Sequence, residues 1–168
     1  MHIGARAPGL GQPQYPAAAV AMALLGAGMG SRLYDALRRE EGSAYSFAAT
    51  LAPAREVSRA SVVAACPADR VLEVEGRMLL ALRTLAIEPA SVEEIHRAKE
   101  YTCTSNAIAH QRSVEVAHQL AALEVAAGQG LELDRDLPRL VRAVTAEDVR
   151  SVAQAMFETR VRVRVQPP

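Results

Sequence analysis

Side-chain alternation of period two occurs in only three places in this chain, and their spacing constrains the fold more than any other feature. Tyr45, Phe47, Ala49 and Leu51 alternate with Ala44, Ser46, Ala48 and Thr50. After a turn at Pro53-Ala54-Arg55-Glu56, the stretch Val57 to Cys66 reads as the returning strand of a hairpin. At the far end, Val161, Val163 and Val165 alternate with Arg160, Arg162 and Arg164, a final strand with one wet face. A short stretch of mixed polarity, His2 to Ala7, adds a candidate strand at the start. Strands so distant in sequence must meet in one sheet, because an unpaired strand leaves its backbone polar groups without partners.

Helix signals fill the rest. Pro16 suits the first turn of a helix through Ala17–Leu25, and the glycine-rich stretch Gly26-Ala27-Gly28-Met29-Gly30 breaks it. That stretch is not a phosphate loop: no Lys-Ser/Thr pair follows and no convincing strand precedes it. Ser31 is a good cap for a helix from Arg32 to about Glu41, closed by Gly42. Pro67 and Asp69 open a third helix, whose Val71, Val74, Met78, Leu82 and Leu85 share one face; Pro89 stops it. Ser91-Val92-Glu93-Glu94 is a capping box. The helix after it meets no glycine or proline before Gly128, so it is either very long or kinked near Asn106–Arg112. Thr145-Ala146-Glu147-Asp148 starts one more helix, through Met156. Because strands and helices do not alternate regularly, the expected class is α+β: a two-layer sandwich with a mostly antiparallel sheet covered on one face by helices.

Composition supports a folded domain and removes several functions. The 168 residues suit one domain, 1–168, and half of them are hydrophobic, enough for a sizeable core. Nineteen basic and nineteen acidic side chains balance, so there is no electrostatic footprint for nucleic acid or an anionic membrane. No apolar run is long enough to span a bilayer, and no positively charged head with an apolar stretch marks a signal peptide. The expectation is a soluble globular domain, and these features do not give its compartment. Two cysteines, Cys66 and Cys103, make neither a disulfide framework nor a metal cluster.

No catalytic engine is visible in the residues themselves. His2, His96, His110 and His118 lack the spacing of a helical zinc motif, and His110 and His118 stand ~12 Å apart along a helix, too far for one ion. There is no Gly-x-Ser-x-Gly elbow. Glu40/Glu41 and Glu93/Glu94 fall at helix ends, where capping or solvent explains them. Arg32 reads as a surface residue at a helix start, Tyr34 as packing, and Lys99 as part of a solvated helix face. The stripe Arg160/Arg162/Arg164 lacks interleaved aromatics and reads as a guard against edge pairing, not as a nucleic-acid site.

The segment Leu24 to Tyr45, LLGAGMGSRLYDALRREEGSAY, carries the most information. It resembles the Leu-Gly-Gly-x-x-x-Ser-Arg-Leu and Leu-Arg-Glu-x-x-Gly-x-Ala-Tyr-Ser block of the inverted-zincin peptidases, the pitrilysin, insulinase and mitochondrial processing peptidase group. Val92-Glu93-Glu94-Ile95-His96-Arg97-Ala98-Lys99 is similar to that family's Glu-Glu-hydrophobic-x-x-Ala-Lys helix start, and Val144-Thr145-Ala146-Glu147-Asp148-Val149 to its Val-Thr-x-Glu-Asp-Val start. The likeness therefore runs over nearly the whole chain.

Such peptidases hold zinc on one kind of domain, through His-x-x-Glu-His and a distant Glu. A second, zinc-free kind faces it across a chamber and lends an Arg and a Tyr to the substrate. This sequence has no zinc motif and has matching residues in Arg38 and Tyr45. The resemblance thus implies the zinc-free, carboxy-terminal-type half of a zinc metallopeptidase, binding no cofactor itself and inactive alone. It also implies a zinc-bearing homologous domain or subunit as partner, arranged as a dimer, and an extended peptide as substrate. The first residues begin inside the family's first strand, so the chain is expected to be a fragment of a longer protein. The competing expectation is a non-catalytic assembly subunit, like the core proteins of respiratory complexes. For Arg38 and Tyr45 the chemistry can be argued directly. A helix end and the mouth of the next strand can turn a fork of guanidinium donors and a phenol into one cleft, where they would hold a peptide carbonyl and its developing oxyanion.

Overall fold

A computed structural model describes residues 1–39 and 43–165. Strand β1 (His2–Pro8) pairs with two strands remote in sequence, β3 (Val57–Ala65) and β4 (Arg160–Val163), while β2 (Ser46–Ala52) pairs with β3. The order across the sheet is β2-β3-β1-β4, and every pairing is antiparallel. Ile3 lies opposite Val62 on one side and Arg162 on the other, so these three side chains share a face. On that face Ile3, Ala7, Ser58, Ala60, Val62 and Ala64 are buried, and only at β4 is it exposed. The opposite face carries His2, Arg6, Val57, Arg59, Val63 and Thr50, all exposed.

The helical layer is built around α1 (Tyr15–Gly26), whose sequence YPAAAVAMALLG has no polar stripe. A helix apolar all round must be buried all round. Ala18, Val20, Ala21 and Leu25 are indeed inaccessible, lodged between the sheet and the helices α4 (Val92–Ala109) and α7 (Ala146–Glu158). Helix α3 (Val71–Ile87), entered through a 3-10 turn at Ala68–Arg70, packs its Val74, Met78, Leu82 and Leu85 stripe into the same core beside α7. Capping boxes at Ser91/Glu94 and Thr145/Asp148 start α4 and α7. The result is the expected α+β sandwich, an open antiparallel sheet with helices over one face.

Three local expectations are refined. The helix expected from Arg32 to Glu41 is a single turn, α2 (Arg32–Tyr34), that widens directly into a π-helical turn at Asp35–Arg39; Glu40, Glu41 and Gly42 lie outside the described residues. The long helix is broken, not bent. At His110–Arg112 the helix gives way to tight turns, with Gln111 and Arg112 donating to carbonyls three residues back; α5 (Ser113–Ala127) follows, and Gly128 at φ 66° turns the chain into α6 (Gly130–Ala143).

The third is a correction. Both sides of β4 are exposed, but the arginine side is tied down, with Arg162 and Arg164 only half exposed. Arg162 donates to the buried Glu75 of α3 at 3.0 Å and Arg164 does so at 2.6 Å, so the arginines reach under the sheet toward the helices. Val161, Val163 and Val165 lie exposed on the other side, without partners of that kind. A buried carboxylate on a neighbouring helix outweighs the hydropathy pattern of a short strand, because an ionised group is stable inside only when paired.

Candidate functional site

The segment from Gly28 to Tyr45 presents both residues singled out by the sequence. Gly28 takes φ 72°, where a side chain would be strained, and lets the chain turn out of α1. Ser31, fully buried, caps α2: its hydroxyl accepts from the Tyr34 N–H at 3.3 Å and donates to the Gly28 carbonyl at 2.9 Å. Leu33 and Leu37 then point into the core. That sets the phase of the turn and leaves Arg38 exposed.

Tyr45 stands just ahead of β2, its N–H donating to the Ala65 carbonyl at 2.7 Å. Its ring is 70% exposed. The Arg38 guanidinium donates through Nη2 to the Tyr45 carbonyl at 3.0 Å. The two residues, seven apart in sequence, are therefore adjacent on the surface. The carbonyl occupies one of the five guanidinium N–H groups. Between them, the pair offers a forked cation and a phenol to an incoming acceptor.

The neighbouring residues have structural partners. Arg32 is not the surface residue expected. It is only 17% exposed and grips Glu94 with two bonds, Nε to Oε1 at 2.8 Å and Nη2 to Oε2 at 3.3 Å, joining α2 to the start of α4. Burial opposes the charge on Glu94, but Arg32 and the Ser91 amide outweigh it and hold the carboxyl below its ordinary range. Tyr34 packs edge-on against Phe47, with ring centres 6.4 Å apart. Lys99 donates to the Arg142 carbonyl at the end of α6, at 2.8 Å.

Below the π-helical turn lies a cluster that the sequence pattern did not mark. Ser43, fully buried, donates its hydroxyl to Glu73 at 3.2 Å. Arg70 and Arg77 both pair with Glu73 at 3.0 Å, and Arg77 also donates to the Ala36 carbonyl at 3.1 Å. Arg70, Ser43 and Arg77 together hold the Glu73 carboxyl below its usual range, against some desolvation. The only sequence cue was the three- and four-residue spacing of Arg70, Glu73 and Arg77 on α3.

The histidines do not converge on a metal. His110 Nδ1 faces the Asn106 carbonyl at 2.7 Å and Nε2 faces Asp134 at 2.8 Å, while His2, His96 and His118 are exposed on three different elements, β1, α4 and α5. Among the described residues, no three His, Cys, Asp or Glu side chains come together as a zinc site requires, so the described donors do not fit that ion. Cys66 and Cys103 are free thiols. Among the described residues, no helix is long and apolar enough to cross a membrane. An open groove of about 930 Å³ runs between the β1–α1 corner and the α6–α7 corner, past Arg6, Pro13, Glu56, Leu140, Asp148 and Met156; it lies apart from Arg38 and Tyr45.

The described residues thus form a four-stranded antiparallel sheet backed by helices, an α+β domain with an exposed Arg–Tyr pair at the mouth of β2. The family profile described as "Peptidase M16 inactive domain" matches residues 1–101, and the chain belongs to that family. A curated relative named an uncharacterized zinc protease of Mycobacterium tuberculosis (strain ATCC 25618 / H37Rv) is 28% identical over 166 residues, 99% of this chain and 38% of that protein. The chain thus spans well under half the length of the curated relatives it matches. Among solved structures, an inactive peptidase domain from Bordetella parapertussis superposes with a TM-score of 0.81 at 22% identity, over 99% of this chain and 92% of that one. A chain of complex III from Candida albicans gives 0.82 at 20% identity, over 92% of this chain and 39% of that one.

Proposed function

We propose that this chain is the zinc-free half of a zinc-dependent metallopeptidase, in which residues 1–168 form one substrate-binding domain and zinc resides on a homologous partner domain or subunit. Family membership, the zinc-protease names of the relatives and the absence of a fitting metal-ligand set among the described residues support the assignment. The observation that carries it is the exposed juxtaposition of Arg38 and Tyr45, held by the 3.0 Å bond from the guanidinium to the Tyr45 carbonyl.

In this reading an extended peptide lies across the pair. The guanidinium and phenol donate to a backbone carbonyl oxygen of the peptide, orienting it and favouring the charge that develops on that oxygen. Loss of one such donor commonly costs ~3 kcal/mol of transition-state stabilisation, roughly a hundredfold in rate. The chain alone then cleaves nothing.

The test is co-expression with the zinc-bearing half and an internally quenched peptide as substrate. Arg38→Ala and Tyr45→Phe should each lower kcat/KM by ten- to a hundredfold at unchanged zinc content. Unchanged kinetics would remove the assignment, as would proteolysis by the purified chain on its own. A second reading, a non-catalytic assembly subunit, is favoured by the shared fold with the complex III chain. It predicts an assembly in which both substitutions are silent.

A further inference from the structure

Helix α3 fastens the Arg38–Tyr45 segment on both sides. Upstream, Arg77 Nη1 donates to the Ala36 carbonyl at 3.1 Å, inside the π-helical turn and two residues before Arg38. Downstream, the buried Ser43 hydroxyl donates to Glu73 Oε1 at 3.2 Å, two residues before Tyr45. Glu73 and Arg77 sit one turn apart on α3 and pair at 3.0 Å, while Arg70 grips Glu73 through Nε at 3.0 Å and Nη2 at 3.2 Å. The two attachment points are therefore a single ionic unit on a helix anchored in the core through Val74, Met78, Leu82 and Leu85.

We propose that Glu73 and Arg77 are positioning residues for the Arg38–Tyr45 donor pair, an inference that rests on the functional reading above. A π-helical turn is an uncommon, wide conformation that needs support from outside its own ladder. The Arg77 bond to the Ala36 carbonyl supplies such support and sets the rotation at which Arg38 leaves the surface. The Ser43–Glu73 bond sets where the chain re-enters the sheet ahead of Tyr45. Donors aimed at a reacting oxygen must be held to within about 0.5 Å, and exposed side chains on an isolated turn are not so restrained. Neither Glu73 nor Arg77 touches substrate in this arrangement; each acts through the backbone it holds.

Two measurements test the proposal. The first is hydrogen–deuterium exchange on the 168-residue chain. Glu73→Ala and Arg77→Ala should speed exchange at least tenfold at residues 36–39 and 43–47 and leave α7 unchanged, with Arg77→Lys restoring most of the protection. Unchanged exchange in these segments, or acceleration spread equally over α7, overturns the fastening. The second uses the complete enzyme with its zinc-bearing partner and the quenched peptide. Glu73→Ala should lower kcat about tenfold with less than a twofold change in KM. In an Arg38→Ala/Tyr45→Phe background the same substitution should cost less than twofold, because the groups it positions are gone. A full tenfold loss in that background overturns positioning and leaves a general structural role. If Arg38→Ala and Tyr45→Phe are themselves silent while the exchange result stands, the functional reading fails, and the positioning role with it, although the fastening survives.

Discussion

The packing of α1 against the sheet makes a sharp prediction about two glycines that are both helical and chemically interchangeable. Gly26 ends α1, and a Cβ added there would lie 2.6 Å from the Ala49 Cβ and 2.7 Å from the Ala49 backbone nitrogen. Ordinary contact requires that β2 and α1 separate by about 1 Å. Helix α1 cannot withdraw cheaply, since its other sides are buried against α4 and α7. Overpacking of this kind costs ~2–3 kcal/mol. The substitution to alanine also gains up to ~1 kcal/mol from helix propensity and reduced freedom of the unfolded chain. Sterics win, so Gly26→Ala should destabilise by ~1–2 kcal/mol, lowering Tm by roughly 2–8 °C for a chain of this size. Gly76 is mid-helix in α3, exposed, and an added Cβ meets nothing within 4 Å. There only the propensity gain remains, and Gly76→Ala should raise Tm by roughly 1–4 °C. Paired thermal melts followed by far-UV circular dichroism decide the matter. Shifts of the same sign in the two variants would refute the argument that contact with Ala49, rather than helix propensity, determines the outcome.

Two further predictions follow from charge. Removing the acceptor shared by Arg162 and Arg164 with Glu75→Ala should cost about 2–3 kcal/mol, less than two full charged hydrogen bonds because both arginines are half exposed and can rehydrate; urea melts measure it, and amide exchange in β1 and β4 should rise first. The Asn106 carbonyl and the Asp134 carboxylate are both acceptors, so both ring nitrogens of His110 must carry protons to satisfy them, and its pKa is raised above 6.5. A raised pKa in the folded state means that the stabilisation is complete below pH ~6.5 and fades as pH climbs through the higher folded value. Protection of the α5–α6 region should fall across that window in the native chain and lose this pH dependence in His110→Gln. A pH-independent native profile would exclude the imidazolium.

How much of this was legible beforehand depended on whether the deciding interaction was local. The caps at Ser31, Ser91 and Thr145 were readable because a hydroxyl and an amide three residues on settle them. So was the hairpin of β2 and β3, with its alternation on both sides of a Pro-containing turn. The facing of β4 was not, because it turns on Glu75, 87 residues from Arg162. The π-helical turn at Asp35–Arg39 had no local signal either; its Ala36 carbonyl is supported from α3, 41 residues away. For the candidate site, the pattern around Leu24–Tyr45 pointed to Arg38 and Tyr45, whereas Ser43, Glu73 and Arg77 emerged only once α3 was seen beneath them.

The inward turn of the β4 arginines has a cost elsewhere. Strands at the margin of a sheet usually keep charges outward so that a stranger's backbone cannot zip onto them. Here the cations are committed to Glu75, and among the described residues β4 is the terminal strand, showing valines to water beside open N–H and C=O groups. Concentrated solutions of this polypeptide by itself should therefore be prone to edge-to-edge self-association, and a lysine at position 161 or 163 should improve its solubility without disturbing the ionic anchor underneath.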